Sequence, residues 1–135
     1  MTTPFSRPPG LRDIESLAKL AYGEIPEMLR EKTKDVVIKV EDFPDRETQR
    51  ELGLQSPFEL MGVYRGVPFG ERSVTETPQD IDLIILYRRP LLYYWCETQE
   101  DFTHLVRHVL IHEIGHHFGF SDEEMARIEG PAEKP

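Results

Sequence analysis

One stretch near the end of the chain constrains the fold more than any other: His112-Glu113-Ile114-Gly115-His116-His117-Phe118-Gly119-Phe120-Ser121-Asp122. It has the form H-E-x-x-H, extended to H-E-x-x-H-x-x-G-x-x-D, and it closes the longest helix-like segment, about residues 101–118. Residues four apart on a helix share one face, about 6 Å apart along the axis. The imidazoles of His112 and His116 can therefore converge on one zinc ion. Glu113 follows the first histidine by about 100° of rotation. That position, beside the metal, suits a general base for a water and not a third ligand. Gly119 can take a positive φ and end the helix, and the turn that follows can bring Asp122 back towards the metal. A surface helix carrying solvated histidines is the plainer reading, but Ile111, Ile114 and Phe118 point to burial.

At about 100° per residue, Phe102, Leu105, Val106, Val109 and Leu110 share one side of this helix. Ile111, Ile114 and Phe118 lie towards the opposite side, while His112, Glu113 and His116 take over the azimuth of the first set. The helix exchanges a packing face for a chemical face along its length, a departure from simple amphipathicity expected at a functional site. His104, His108, His112 and His116 are all spaced by four, so other histidine pairs are geometrically available. Only the last pair has a glutamate beside its first member and Gly119 and Asp122 within reach. His104 is expected at the surface, His108 beside the site or solvated, and His117 in the core or supporting a ligand. Gly115 in mid-helix costs about 1 kcal/mol relative to alanine, which implies close approach of a strand or access to the metal.

The nearby carboxylates are Asp122, Glu123, Glu124 and Glu129. Ser121-Asp122-Glu123-Glu124 also reads as a capping box, Ser121 as N-cap and Glu124 at N3, for a last helix to about Ile128. The box claims Glu124, Glu123 lies one step around that helix, and Glu129 requires the helix to fold back alongside the first. A reversal at Gly119 brings Asp122 back first.

Upstream, residues 11–32 are helical in pattern, with Leu11, Ile14, Leu17, Ala18 and Ala21 on one stripe and an interruption at Gly23 and Pro26 that implies a kink or two helices. These helices are expected to cover one face of a sheet. Val36 to Val40 is β-branched and short, a strand. Residues 45–52 read as a short helix or loop. Leu60 to Arg65 is a second strand, and the breaks at Gly66, Pro68 and Gly70 suit a sheet edge. Ile81 to Tyr87 is nearly continuous in apolar residues and is expected as the central strand, buried on both faces. Arg88-Arg89-Pro90 stops it, and residues 91–96 read as a helical turn beside the long helix.

At 135 residues the chain suits a single domain, 1–135, with residues 1–10 as an extended lead-in and 130–135 as a tail. Hydrophobic content of 39% and charged content of 30% are ordinary for a globular protein. There is no apolar run long enough to span a membrane and no signal-like h-region near the start, so the expected location is cytoplasmic. The lone Cys96 excludes an internal disulfide and, beside Trp95, is expected in packing. A net charge of −9 disfavours nucleic acid as a partner, although Arg88-Arg89 leaves room for a local basic patch.

The pieces Val40-Glu41-Asp42-Phe43-Pro44, Gly62-Val63-Tyr64-Arg65-Gly66, Leu86-Tyr87-Arg88-Arg89-Pro90-Leu91 and residues 112–125 together resemble the small bacterial zincin-like metallopeptidases, or minimal zincins. The resemblance extends over most of the chain, and the last piece is its most specific part. It implies an α+β fold, a small mixed sheet of three to four strands packed with helices. It further implies one zinc ion held by His112, His116 and Asp122, Glu113 as catalytic base, and a peptide or protein substrate. With 13 residues after Asp122, no further subdomain is expected to wall a cleft, and Met125 stands too near the third ligand for a metzincin-type Met-turn. For the oxyanion, Tyr64, Arg65, Tyr87, Arg88, Tyr93 and Tyr94 are candidates, and an extended peptide would pair with a strand edge near residues 62–66. Two rivals stand beside this reading. One is a zinc-stabilised interaction module without turnover. The other is a zinc hydrolase acting on RNA, like the small endoribonucleases with H-G-x-x-H-x-x-G-x-D-H, against which Glu113, Ser121-Asp122 and the acidic charge all argue.

Overall fold

The computed structural model describes residues 7–66, 82–119 and 121–129. In chain order its elements are α1 (Leu11–Gly23), α2 (Glu27–Lys32), β1 (Val37–Glu41), α3 (Arg46–Glu51), a 3-10 turn (Pro57–Glu59), β2 (Gly62–Arg65), β3 (Leu83–Tyr87), α4 (Arg88–Thr98), α5 (Phe102–Phe118) and α6 (Asp122–Glu129). The fold is α+β. Among the described residues the sheet has three strands in the order β1-β3-β2, with β1 parallel and β2 antiparallel to β3.

The apolar run before Arg88 is the central strand, as its composition predicts. Ile84, Ile85, Leu86 and Tyr87 are all buried, and Ile81 lies outside the described residues. Side chains alternate across a sheet, so the register puts Ile38, Val40, Ile84, Leu86, Gly62 and Tyr64 on one face. Helices α1 and α5 cover that face and supply Ile14, Ala18, Ala21, Leu105, Val106 and Val109 to the core. Helix α5 is buried on both of the sides that its projection separates, with Phe102, Leu110, Ile111 and Ile114 as enclosed as the rest. It is the spine of the molecule, touching α1, β2, β3, α4 and α6.

Gly23 and Pro26 divide the first helical segment into two helices. Leu11, read into the apolar stripe, is 39% exposed at the helix start. Residues 1–6 of the lead-in lie outside the described residues, but its end is anchored. Pro9 is fully buried, and Arg88 Nε donates to its carbonyl at 2.7 Å while Nη1 reaches Asp42 Oδ1 at 3.2 Å. Arg89 lies over the Phe43 ring, 5.4 Å from its centroid. The adjacent arginines are therefore engaged in folding contacts. The segment from Leu91 extends to a full helix, α4, on which Cys96 is exposed and not packed. Trp95, and not the thiol beside it, faces α5, its ring 5.0 Å from that of Phe102.

On the far face of the sheet, α3 makes polar contacts with Arg65 and Tyr87. Asp45 caps α3, accepting from Thr48 N at 2.8 Å, which together with the Thr48 side chain holds its carboxyl below the usual range. Arg65 Nη2 donates to the buried Thr48 Oγ1 at 2.6 Å and pairs with Glu51 at 3.1 Å. Tyr87, 1% exposed, shares Thr48, and burial, with Glu41 adding to it, pushes its phenol from 10.0 up to about 12. Because the folded state holds this proton more tightly than the unfolded chain, the associated stability is complete below about pH 10 and lost as pH rises through about 12. We expect the melting temperature to fall over that window, and Tyr87→Phe to flatten the fall. An equal slope in thermal melts of both proteins would contradict the assignment.

Candidate active site

The site is assembled where α5 crosses the outer edge of β2. Asp101 begins the helix, its Oδ2 accepting from His104 N at 2.9 Å. At the middle, Gly62 lets the backbones approach: a Cβ on that residue would stand 2.8 Å from Val109 Cγ1 and 3.2 Å from Leu86 Cδ2. One helical turn further along α5, Glu113 comes level with Tyr64. The Tyr87 N–H donates to Met61 O at 2.9 Å, and bonded pairs alternate along an antiparallel ladder. Val63 and Arg65 therefore bond to β3, while the N–H and C=O groups of Gly62 and Tyr64 point away from it. The Glu113 carboxylate accepts the outward Tyr64 N–H.

Glu113 is 7% exposed and has a second donor, His116 Nδ1, at 3.1 Å from Oε1. Burial pushes its carboxyl above the usual range, opposed by the neighbouring His116 and by the Tyr64 amide. A carboxyl so placed is a better proton acceptor than an ordinary surface glutamate. His116 itself is exposed, and with Nδ1 bonded to a carboxylate its Nε2 is the ring atom left to ligate. That is the usual division of labour in a metal-bound histidine. His112, one turn before it on the same helix, is half-buried, its ring 4.4 Å from that of His108. His108 thus stands beside the site, whereas His104 is half-buried and not at the open surface.

Gly119 ends α5 in the left-handed region, φ 71°, and the capping box forms as the residues predict. Ser121 Oγ accepts from Glu124 N at 3.1 Å, and Glu124 Oε1 accepts from Ser121 N at 2.8 Å. Those bonds hold the Glu124 carboxyl below its usual range and engage it in capping. Glu123 is exposed. The backbone of Asp122 opens α6, but the expectations for the side chains of Asp122 and His117 lie outside the described residues. Among the described residues no group of three or more histidine, cysteine, aspartate or glutamate side chains is gathered for a metal. The two histidines and their carboxylate partner nevertheless suit zinc in donor type and spacing.

Of the six oxyanion candidates, Tyr64 stands beside Glu113, its hydroxyl donating to Asp82 Oδ1 at 3.1 Å. Tyr87 and Arg65 are committed to Thr48 on the other face of the sheet, Arg88 to Pro9 and Asp42, and Tyr93 packs on Phe58 with ring centroids 5.3 Å apart. Tyr94 is exposed on α4. Sequence reasoning did not reveal the backbone of Tyr64 as a partner for Glu113. The signal available was Gly62, a strand glycine marking close approach by another element.

The Tyr64 amide should exchange slowly with solvent although it points away from β3. Removing its acceptor in Glu113→Ala should speed that exchange by about tenfold, the scale of a charge-assisted hydrogen bond, with Val63 and Arg65 little changed. Unchanged Tyr64 exchange by NMR would mean that the contact does not hold the strand.

No curated protein matches the sequence significantly. A family model described as zincin-like metallopeptidase matches residues 33–131, from the loop before β1 to just past α6. The match contains the sheet, α5 with its H-E-x-x-H stretch, and the capped helix that follows. The chain belongs to the zincin-like metallopeptidase family.

Proposed function

We propose that the protein is a zinc-dependent peptidase in which His112, His116 and Asp122 hold one zinc ion and Glu113 acts as general base. The observation that carries this reading is the buried Glu113 carboxylate, held between His116 Nδ1 and the outward amide of edge strand β2. When bound, zinc would supply Lewis acidity, making water more acidic and polarising the scissile carbonyl. Glu113 takes a proton from the attacking water as its oxygen bonds to the carbonyl carbon, and returns it to the leaving amine as the C–N bond breaks. Among the described residues β2 is an edge of the sheet, and an extended peptide would add to it as a further strand. The substrate is thus read as a peptide or unfolded protein segment, and not as nucleic acid.

The reading is tested on zinc-loaded protein with a peptide library. Glu113→Gln should keep about one zinc per chain, a normal content for a hydrolytic site, while hydrolysis falls by at least about a hundredfold. Loss of zinc in that variant, by elemental analysis, would make Glu113 a ligand. No hydrolysis by the wild type would favour the interaction-module reading.

A second set of variants addresses the ligands. His112→Ala or His116→Ala should empty the site and His104→Ala should leave it filled. Asp122→Ala should weaken zinc by at least about tenfold in competition with a chelator, with Glu123→Ala and Glu124→Ala costing much less. Full affinity in Asp122→Ala would move the third ligand to Glu129.

A further inference from the structure

Gly115 lies between Glu113 and His116 in the interior of α5 and is buried. A glycine there weakens the helix by about 1 kcal/mol relative to alanine, so something in the fold must use the missing methyl. It is neither a strand nor an open path to a metal. A Cβ at this position would fall on Met125 Sδ and within 2.7 Å of Met125 Cγ, with Cε at 3.4 Å. Sδ and Cγ are the middle of the methionine side chain. Met125 is 4% exposed, so the chain has little space in which to swing aside. Relief must come from movement of α6.

Of the four α6 side chains that are described, Met125 is buried and Glu123, Glu124 and Arg127 are exposed. The short reversal at Gly119, whose N–H donates to His116 O at 3.2 Å, joins the helix to α5. Helix α6 opens at Asp122, one turn before Met125, and a short helix moves as a rigid body, so a displacement at one residue is carried to the other. Metal–ligand distances lie within about 0.2 Å of their usual values.

We propose that Met125 is a positioning residue for the metal site: its thioether seats in the notch left by Gly115, and this fit sets the register at which α6 returns to the histidine helix. The inference rests on the zinc reading above. It adds that the site's geometry depends on a residue that contributes no ligand, and that the glycine in the H-E-x-x-H stretch is there for the sulfur of α6.

The test is a double-mutant cycle read by zinc affinity, measured by chelator competition on the full chain, with circular dichroism as the control for folding. Gly115→Ala should weaken zinc by at least about tenfold in the wild-type background, comparable to disturbing the support of a ligand. Met125→Ala, which removes the obstacle but also the anchor, should weaken it independently. In the Met125→Ala background, adding Gly115→Ala should cost no more than about twofold, because the methyl then has room. An effect of Gly115→Ala equal in both backgrounds, or none in either, would overturn the proposal. If Gly115→Ala does not fold, full zinc affinity in Met125→Ala overturns it alone. A wild-type chain that binds no zinc overturns the zinc reading itself, and this inference with it.

Discussion

Val109 can rest against the sheet only because residue 62 carries no side chain, and the position of everything else on α5 follows from that contact. Four residues of helix advance about 6 Å and two residues of antiparallel strand about 6.8 Å. Once Val109 is seated at Gly62, Glu113 arrives at Tyr64. The apolar side chains before Val109 and those beyond it, Ile111 and Ile114 among them, then enter one buried core with α1 and the central strand. A larger residue at position 62 would tilt the helix off the strand and separate the glutamate from its amide.

The cost of burying a carboxylate is met locally. Glu113 gives up water but gains the Tyr64 N–H and His116 Nδ1, two donors that also fix its direction. The same strand has its opposite face secured by Arg65, which reaches the buried Thr48 and Glu51 of α3. Strand β2 is therefore held from both faces while its outward backbone groups remain at the sheet edge. An edge so fixed is suited to pairing with a second extended chain without changing shape itself.

Legibility in the sequence followed the range of the interactions involved. The capping box at Ser121 and Glu124, the helix stop at Gly119 and the strand ending at Tyr87 are local, decided within a few residues, and each is found where the residues indicate. Positions whose environment depends on distant segments departed from expectation. Cys96 is exposed because α4 turns Trp95 inward, Leu11 is exposed at the start of α1, and His104 is half-buried. Gly115 signalled close approach correctly, but its partner, Met125, follows it in the chain and comes from the next helix, not from a strand.

By itself the sequence determined the chemistry available: two histidines and a glutamate on one helical stretch, a glycine to end it, and a strand sequence apolar enough to lie at the centre of a sheet. These depend on helical periodicity and side-chain type, which are written residue by residue. Only the tertiary structure decided which backbone amide the glutamate would meet, which tyrosine stands beside it, and what occupies the notch at Gly115. Those contacts join segments that the alternation and periodicity of either segment alone leave unrelated. They are settled when the missing side chains of Gly62 and Gly115 allow α5 to close on β2 and α6.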